Sequence, residues 1–312
     1  MGQTNRIVVV GSANMDIVLP VDRLPRAGET IAGGDLVMSP GGKGANQACA
    51  AAKLGGAVSL IARVGSDPFG ETLLSSLQRA GVNTDGVGTA MGPSGCASIF
   101  VLPGGENSIV ISPGANAALS PAAALAHLDA LGSADYILVQ LEIPIETVEA
   151  VLGWSRSHKV TTILDPAPAR LLSQSLLRNV DYLTPNQSEA AALLGNPSWE
   201  IKEFAEAEVA AEGLLALGAS SVVMKMGALG CLASSRQMRA RVQGFHVDAV
   251  DVTAAGDAFN GALAVALTEN AQLLDAAAFA NAAAAISVTR RGTQNSLPNR
   301  EDVNRFLRHS QI

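Results

Sequence analysis

Short runs of apolar, mostly branched residues recur along the chain at Ile7–Val10, Ser59–Ala62, Tyr136–Val139, Thr161–Leu164, Tyr182–Leu183 and Val222–Met224, each soon followed by Gly, Pro, Asn or Asp. Runs this short and continuous suit strands buried on both faces. Between them lie Ala- and Leu-rich stretches with helical spacing, at Ala45–Leu54, Gly70–Ala80, Pro144–Ser157, Ser188–Leu194 and Phe204–Leu217. Strand and helix in alternation predict an α/β fold of three layers, with a mostly parallel central sheet flanked by helices. Ligands of such sheets bind at the carboxyl ends of the strands, so the polar residues just after each run form the candidate site.

Two stretches break the rhythm. In Ile17–Met38 and Ser94–Ile111, β-type residues alternate with Gly and Pro and no helical pattern intervenes. Both read as antiparallel strands, either edge hairpins or a small β-sheet lid over the strand ends, formed by roughly residues 15–38 and 94–112. No fixed-period repeat, low-complexity tract or linker interrupts the chain, so residues 1–312 are expected to form a single α/β domain.

Composition narrows the function classes. With 48% hydrophobic and 16% charged residues, disordered and fibrous classes are excluded; 31 glycines against 4% aromatics favour tight backbone approaches over stacking surfaces. The net charge of −7, with Lys and Arg scattered, leaves no basic stripe for nucleic acid. An anionic ligand is still possible, because backbone N–H groups and a metal ion supply positive potential locally. Cys49, Cys96 and Cys231 are far apart and lack CxxC spacing, which predicts free thiols and a reducing, cytoplasmic setting. The run after Arg6 is too short for a signal peptide, and Ala276–Ile286 is too short to span a bilayer, so no membrane partner is expected.

Two segments carry chemistry. Ser39-Pro40-Gly41-Gly42-Lys43-Gly44-Ala45-Asn46-Gln47-Ala48 sets three glycines around a lysine and runs into an Ala-rich helix. It is not a Walker A loop, since Gly44 follows Lys43 where Ser or Thr would hold Mg²⁺. On residues alone it is a ligand loop or a helix start with permissive glycines. In Asp251-Val252-Thr253-Ala254-Ala255-Gly256-Asp257-Ala258-Phe259-Asn260-Gly261, small residues precede an acid at the opening of a long helix. Converging N–H groups there suit developing phosphoryl charge, and a carboxylate in the same turn can take a proton from an attacking hydroxyl. Asp257 reads equally well as a helix-capping acid.

These two segments resemble the diagnostic motifs of the PfkB-type carbohydrate kinases, the ribokinase-like family, in order and separation. The similarity extends to Gly11–Asp16, Gly114–Pro121, Asp165–Arg170 and Thr184–Asn186, and Lys43-Gly44-Ala45-Asn46 is similar to the branch acting on ribose. The resemblance implies a ribokinase-like fold and ATP-dependent phosphorylation of D-ribose at O5, with Asp257 as base and the Ala254, Ala255 and Gly256 backbone as anion hole. It implies sugar contacts from Asn14, Asp16, Gly42, Lys43, Gly44, Ala45, Asn46 and Glu142. For ATP it implies Asn186, Lys225, Met226, Gly227, Ala228, Leu229, Gly230, Gly256, Asp257 and Asn281.

Glu189 would act on Mg²⁺ indirectly, although Asn186-Gln187-Ser188-Glu189 is also a helix capping box. A K⁺ site is implied at Asp251, Thr253, Ser287, Arg290, Gly292 and Ser296, and a homodimer through the lid; Thr289–Gly292 alone reads as a helix stop. Two positions depart from the pattern: Lys225, where the ribose kinases often have Thr, and Asp165, where Asn is frequent. The alternatives are a family member acting on deoxyribose, a nucleoside or a fructose phosphate, and a non-catalytic sugar-binding regulator.

Overall fold

The computed structural model describes residues 6–104 and 106–310. The chain opens with β1 (Arg6–Val10), β2 (Asn14–Pro20), β3 (Val37–Gly41), α1 (Lys43–Lys53), β4 (Ala57–Gly65), α2 (Pro68–Arg79), β5 (Asn83–Ala90), β6 (Gly95–Val101) and β7 (Asn107–Ser112). It continues through α3 (Pro121–Leu131), β8 (Tyr136–Val139), α4 (Ile145–His158), β9 (Thr161–Leu164), α5 (Gln174–Leu177), β10 (Tyr182–Leu183), α6 (Gln187–Leu193) and α7 (Phe204–Leu217). It closes with β11 (Ser221–Lys225), β12 (Gly230–Ser235), β13 (Arg239–Gln243), α8 (Ala255–Thr268), α9 (Leu273–Val288) and α10 (Arg300–Ser310).

The large sheet has the order β13-β12-β11-β10-β9-β8-β1-β4-β5, parallel throughout except where β12 pairs with β11 and β13. Alternation along β1 sends Ile7 and Val9 to one face and Val8 and Val10 to the other. The first face is covered by α1, α2, α8, α9 and α10, the second by α3 to α7. Strand order reverses at β1, which lies between β4 and β8, so the ends of β1 and β8 flank a topological switch point. No helix among the described residues is long and apolar enough to cross a membrane.

The second sheet, β3-β2-β6-β7, corrects one sequence expectation. Its outer pairs are antiparallel, but β2 and β6 pair in parallel. Both start at the rim of the large sheet and run outward, while β3 and β7 return, so two out-and-back flaps join through their outgoing strands. Asn14 and Asp16 lie at the start of β2. Residues 21–36 contain no strand.

Close helix packing positions the site. A Cβ on Gly261 would stand 2.6 Å from the Ala50 Cβ, so glycine there lets α8 lie directly against α1. That contact brings the first turn of α8 beside the polar residues of α1.

Candidate active site

The loop before α1 is shaped by the absence of side chains. Gly42, at φ +88°, caps α1, and a Cβ on it would meet the Asn14 backbone nitrogen at 2.6 Å. The first N–H groups of α1, which have no partner within a helix, are received from outside. Lys43 N–H donates to Glu142 Oε2 at 3.1 Å, Gly44 N–H to Ser12 Oγ at 3.3 Å and Ala45 N–H to the Ser12 carbonyl at 2.8 Å. Glu142 Oε2 also accepts from Ser12 Oγ at 2.6 Å and Asn14 Nδ2 at 3.3 Å. Glu142 thus ties β2 and α1 together from the end of β8 and is no cap for its own helix. Asn116 donates to Asn14 Oδ1 at 2.7 Å, fixing that amide from the opposite flap.

Asp257 is buried and does not cap α8, whose N-cap, Ala254, makes no side-chain cap bond. Its oxygens instead cross 211 and 210 residues of sequence, accepting from Asn46 Nδ2 at 3.0 Å and Gln47 Nε2 at 3.1 Å. Gln47 also donates to Asp165 Oδ2 at 2.9 Å and is itself held by Gln140 at 2.7 Å. Burial raises the Asp257 pKa to about 6; Lys43 opposes this, Asp165 adds to it, and the Asn46 and Gln47 amides lower it again. Asp16 is pushed up to about 7, first by burial, then by the charges of Glu142 and Asp257, against the pull of Lys43. Burial alone would lower the Lys43 pKa, but Asp257, Asp165, Glu142 and Glu189 outweigh it and hold the ammonium above its ordinary range.

A polar cavity of about 700 Å³ opens from Asp257 and the Ala254–Gly256 turn toward Lys43, Asp165, Glu189 and Lys225, with Trp199 in its wall. Lys43 therefore lines this cavity from the loop that opens α1. Ala254 adopts the left-handed conformation, φ +59°, which turns the chain into α8. Asn186 and Glu189 do form the capping box: Asn186 N–H donates to Glu189 Oε2 at 2.7 Å and Glu189 N–H to Asn186 Oδ1 at 2.8 Å. Glu189 nonetheless lines the cavity; its pKa is raised by burial, with Lys225 opposing.

A second, more apolar cavity of about 410 Å³ continues from the first past Lys225, Gly227, Ala228 and Gly230, between the segment around Phe245 and helix α9. Gly227–Leu229 form a 3-10 turn between β11 and β12, following Met226. Asn281 borders this cavity and donates to the Val242 and Gln243 carbonyls at 3.3 and 3.4 Å. Phe245, Val247, Val252, Ala284 and Val288 complete the wall. Sequence reasoning missed them: Val252 lies inside the 251–261 segment without being singled out, and no motif marks the other four. It also missed Gln47 and Gln140, although two adjacent amides, Asn46 and Gln47, opening an Ala-rich helix are a visible signal.

The residues implied for a monovalent cation come partly together. Burial would raise the Asp251 pKa, but the Thr253 hydroxyl and the Gly292 and Thr253 N–H groups outweigh it and hold the carboxyl below its ordinary value. Asp251 receives N–H groups from Thr253 and Gly292, both at 2.9 Å. Arg290 N–H donates to the Ser287 carbonyl at 3.1 Å, while its guanidinium pairs with Asp302 at 3.0 Å. Ser296 Oγ donates to the Thr293 carbonyl at 2.8 Å.

A buried carboxylate at a helix opening, with a polar cluster on one side and a long two-part cavity on the other, suits a small-molecule kinase. The pfkB family carbohydrate kinase profile matches residues 4–300, and the chain belongs to that family. The chain is 40% identical over 301 residues to the ribokinase of Bacillus subtilis, covering 96% of this chain and 99% of that protein. It is 36% identical to the deoxyribokinase of Salmonella typhimurium, covering 96% and 98%. The structure of Arabidopsis thaliana ribokinase complexed with ribose and ATP matches with a TM-score of 0.90 and 32% identity, covering 98% of this chain and 99% of that one.

Proposed function

We propose that this chain transfers the γ-phosphoryl group of ATP to O5 of D-ribose, giving D-ribose 5-phosphate and ADP. The observation that carries the reading is Asp257, buried and oriented by two amides at the junction of the sugar-facing cluster and the polar cavity. With its pKa near 6 it is ionised at neutral pH yet more basic than an ordinary carboxylate, as a proton acceptor for a hydroxyl requires. The N–H groups of Gly256 and Asp257 lie in the first turn of α8, where they can meet phosphoryl charge. Asn14, Asp16, Asn46 and Glu142 supply amide and carboxylate partners for several hydroxyls at once. The apolar cavity takes the adenine, with Asn281 and the 225–230 turn along its edge.

Asp16, Glu142, Asp165, Glu189 and Asp257 outnumber Lys43 and Lys225 in this crevice, so a bare nucleotide polyanion would be repelled. The hard oxygen donors of Glu189 fit Mg²⁺ arriving with the nucleotide, through water since they already serve Asn186. Bound Mg²⁺ neutralises charge on the transferring phosphates. Asp251, whose carboxyl is held below its ordinary value, would be the anionic member of a K⁺ site with Thr253, Ser287, Arg290, Gly292 and Ser296.

In this reading the chain is one domain whose small sheet is a lid that excludes water during transfer. The exposed Val37 and Met38 on β3 and Ile109, Val110 and Ile111 on β7 lie on that sheet's two edge strands, which favours a homodimer through the lid. The test is a sugar panel in a coupled ADP-release assay, run in K⁺ and again in Na⁺. Ribose should give the highest kcat/KM, and K⁺ should raise it. Higher kcat/KM on 2-deoxyribose or a nucleoside moves the substrate; no sugar-dependent ADP release overturns the reading.

A further inference from the structure

Lys225 and Asp165, the two departures from the family's common residues, meet each other. Lys225 Nζ lies 2.8 Å from Asp165 Oδ1 and 3.9 Å from Glu189 Oε2, with side-chain exposures of 13%, 2% and 10%. The contact links the ends of β11 and β9 across the intervening β10. A Cβ built on Gly256 would stand 3.4 Å from the same ammonium, which places it beside the small-residue turn that opens α8. Lys225 also borders both cavities, so it stands where the polar one meets the apolar one.

A buried ion pair is a weak source of stability, because desolvation cancels most of the attraction. Its position in a ligand cavity calls for another role. Lysine offers a compact charge on a flexible stem, able to swing a short way from one anion to another. Resting on the kinase reading above, we propose that Lys225 meets the terminal phosphate of the nucleotide and that Asp165 is its positioning residue, the two working as a matched pair.

In the free protein Asp165 and Glu189 hold the ammonium at the cavity junction. When a triphosphate enters, the ammonium turns toward the phosphate beside Gly256, and Glu189 is left facing the incoming divalent cation. Losing the lysine alone would leave Asp165 buried, uncompensated and repelling the phosphate. Losing the aspartate alone would leave the ammonium unaimed.

The test is calorimetric titration of the full-length chain and its K225T, D165N and K225T/D165N variants with MgADP, with a non-hydrolysable MgATP analogue and with ribose. K225T should weaken the triphosphate analogue at least about tenfold, as expected for truncating one member of a buried charge pair, and MgADP less than about threefold. Adding D165N to K225T should recover at least about fivefold of that loss, the coupling expected of residues in contact. Ribose affinity should stay as in the parent. Equal losses for ADP and the triphosphate analogue, or substitutions that act independently, overturn the proposal. If K225T also loses ribose binding, K225M, which keeps the packing of the stem, replaces it in the same titrations. A parent without ribose-dependent ADP release refutes the kinase reading; an active parent with an indifferent K225T refutes this inference alone.

Discussion

Asp257→Asn keeps the shape of the side chain and removes its basicity. Asp257 accepts from Asn46 Nδ2 and Gln47 Nε2, so an amide in its place would set one donor against another, at ~1–3 kcal/mol if nothing turned. Relief is at hand, because Asn46 Oδ1 is buried without a hydrogen-bond partner among the described residues and half a turn of that amide would present it. Against this stands the removal of a buried charge. The rise from 3.8 to about 6 corresponds to ~3 kcal/mol at ~1.36 kcal/mol per pH unit. The folded protein binds this proton more tightly than the unfolded chain does. Ionised Asp257 therefore costs stability in full above about pH 6, and the cost fades as the pH falls from there toward 3.8.

D257N should accordingly melt no lower than the parent at alkaline pH, with any advantage shrinking in acid. Turnover should tell a different story. Loss of the proton acceptor should lower kcat roughly 10²–10⁴-fold, or ~3–5 kcal/mol of barrier, while the ribose and ATP-analogue Kd values stay within about threefold. Steady-state kinetics across pH, calorimetry for the ligands and thermal melts separate these effects. A variant whose kcat stays within about tenfold of the parent and keeps an acidic limb near pH 6 would refute the assignment of Asp257 as base.

Two further outcomes follow from the same cluster. Because Asp16 titrates near 7, ribose should bind more weakly as pH falls through neutrality and the carboxylate loses its acceptor charge; D16N should abolish that dependence and cost about tenfold in affinity, both read by calorimetry. Gly42→Ala would drive a Cβ to 2.6 Å from the Asn14 nitrogen at φ +88° and should lose at least ~2 kcal/mol of stability together with ribose affinity. Gly55→Ala, at φ +91° with nothing within 4 Å, should lose only about 1 kcal/mol; equal melting temperatures for the two variants would contradict the packing argument.

The strands of the parallel sheet were legible because burial on both faces leaves unbroken apolar runs such as Ile7–Val10 and Tyr136–Val139. Strand β5, Asn-Thr-Asp-Gly-Val-Gly-Thr-Ala, lies at the sheet edge with only its Gly86 buried and carries no such run. The parallel pairing of β2 with β6 could not be read from either segment, since pairing direction is decided by where both strands leave the large sheet. In the site, Asp257 was visible from its small-residue turn, whereas its partners Asn46 and Gln47 lie more than two hundred residues away. The Lys225–Asp165 contact spans 60 residues; each residue was visible as an oddity, and only the fold makes them a pair. The apolar wall of the second cavity, with Phe245 and Val288 among its residues, is chemically the same material as core.

The reach of the Asn46–Asp257 hydrogen bond has a consequence for how the protein is made. A chain emerging from its N-terminus delivers Asn14, Asp16, Lys43, Asn46, Asn116 and Glu142, which lie around β1, α1 and β8 in the fold, within its first half. The proposed base, Asp257, arrives more than a hundred residues later, on a helix that docks onto α1 through Gly261. A chain truncated before α8 would carry the proposed sugar contacts without the proposed base. On the proposed assignment, chemistry would wait until α8 closes against α1.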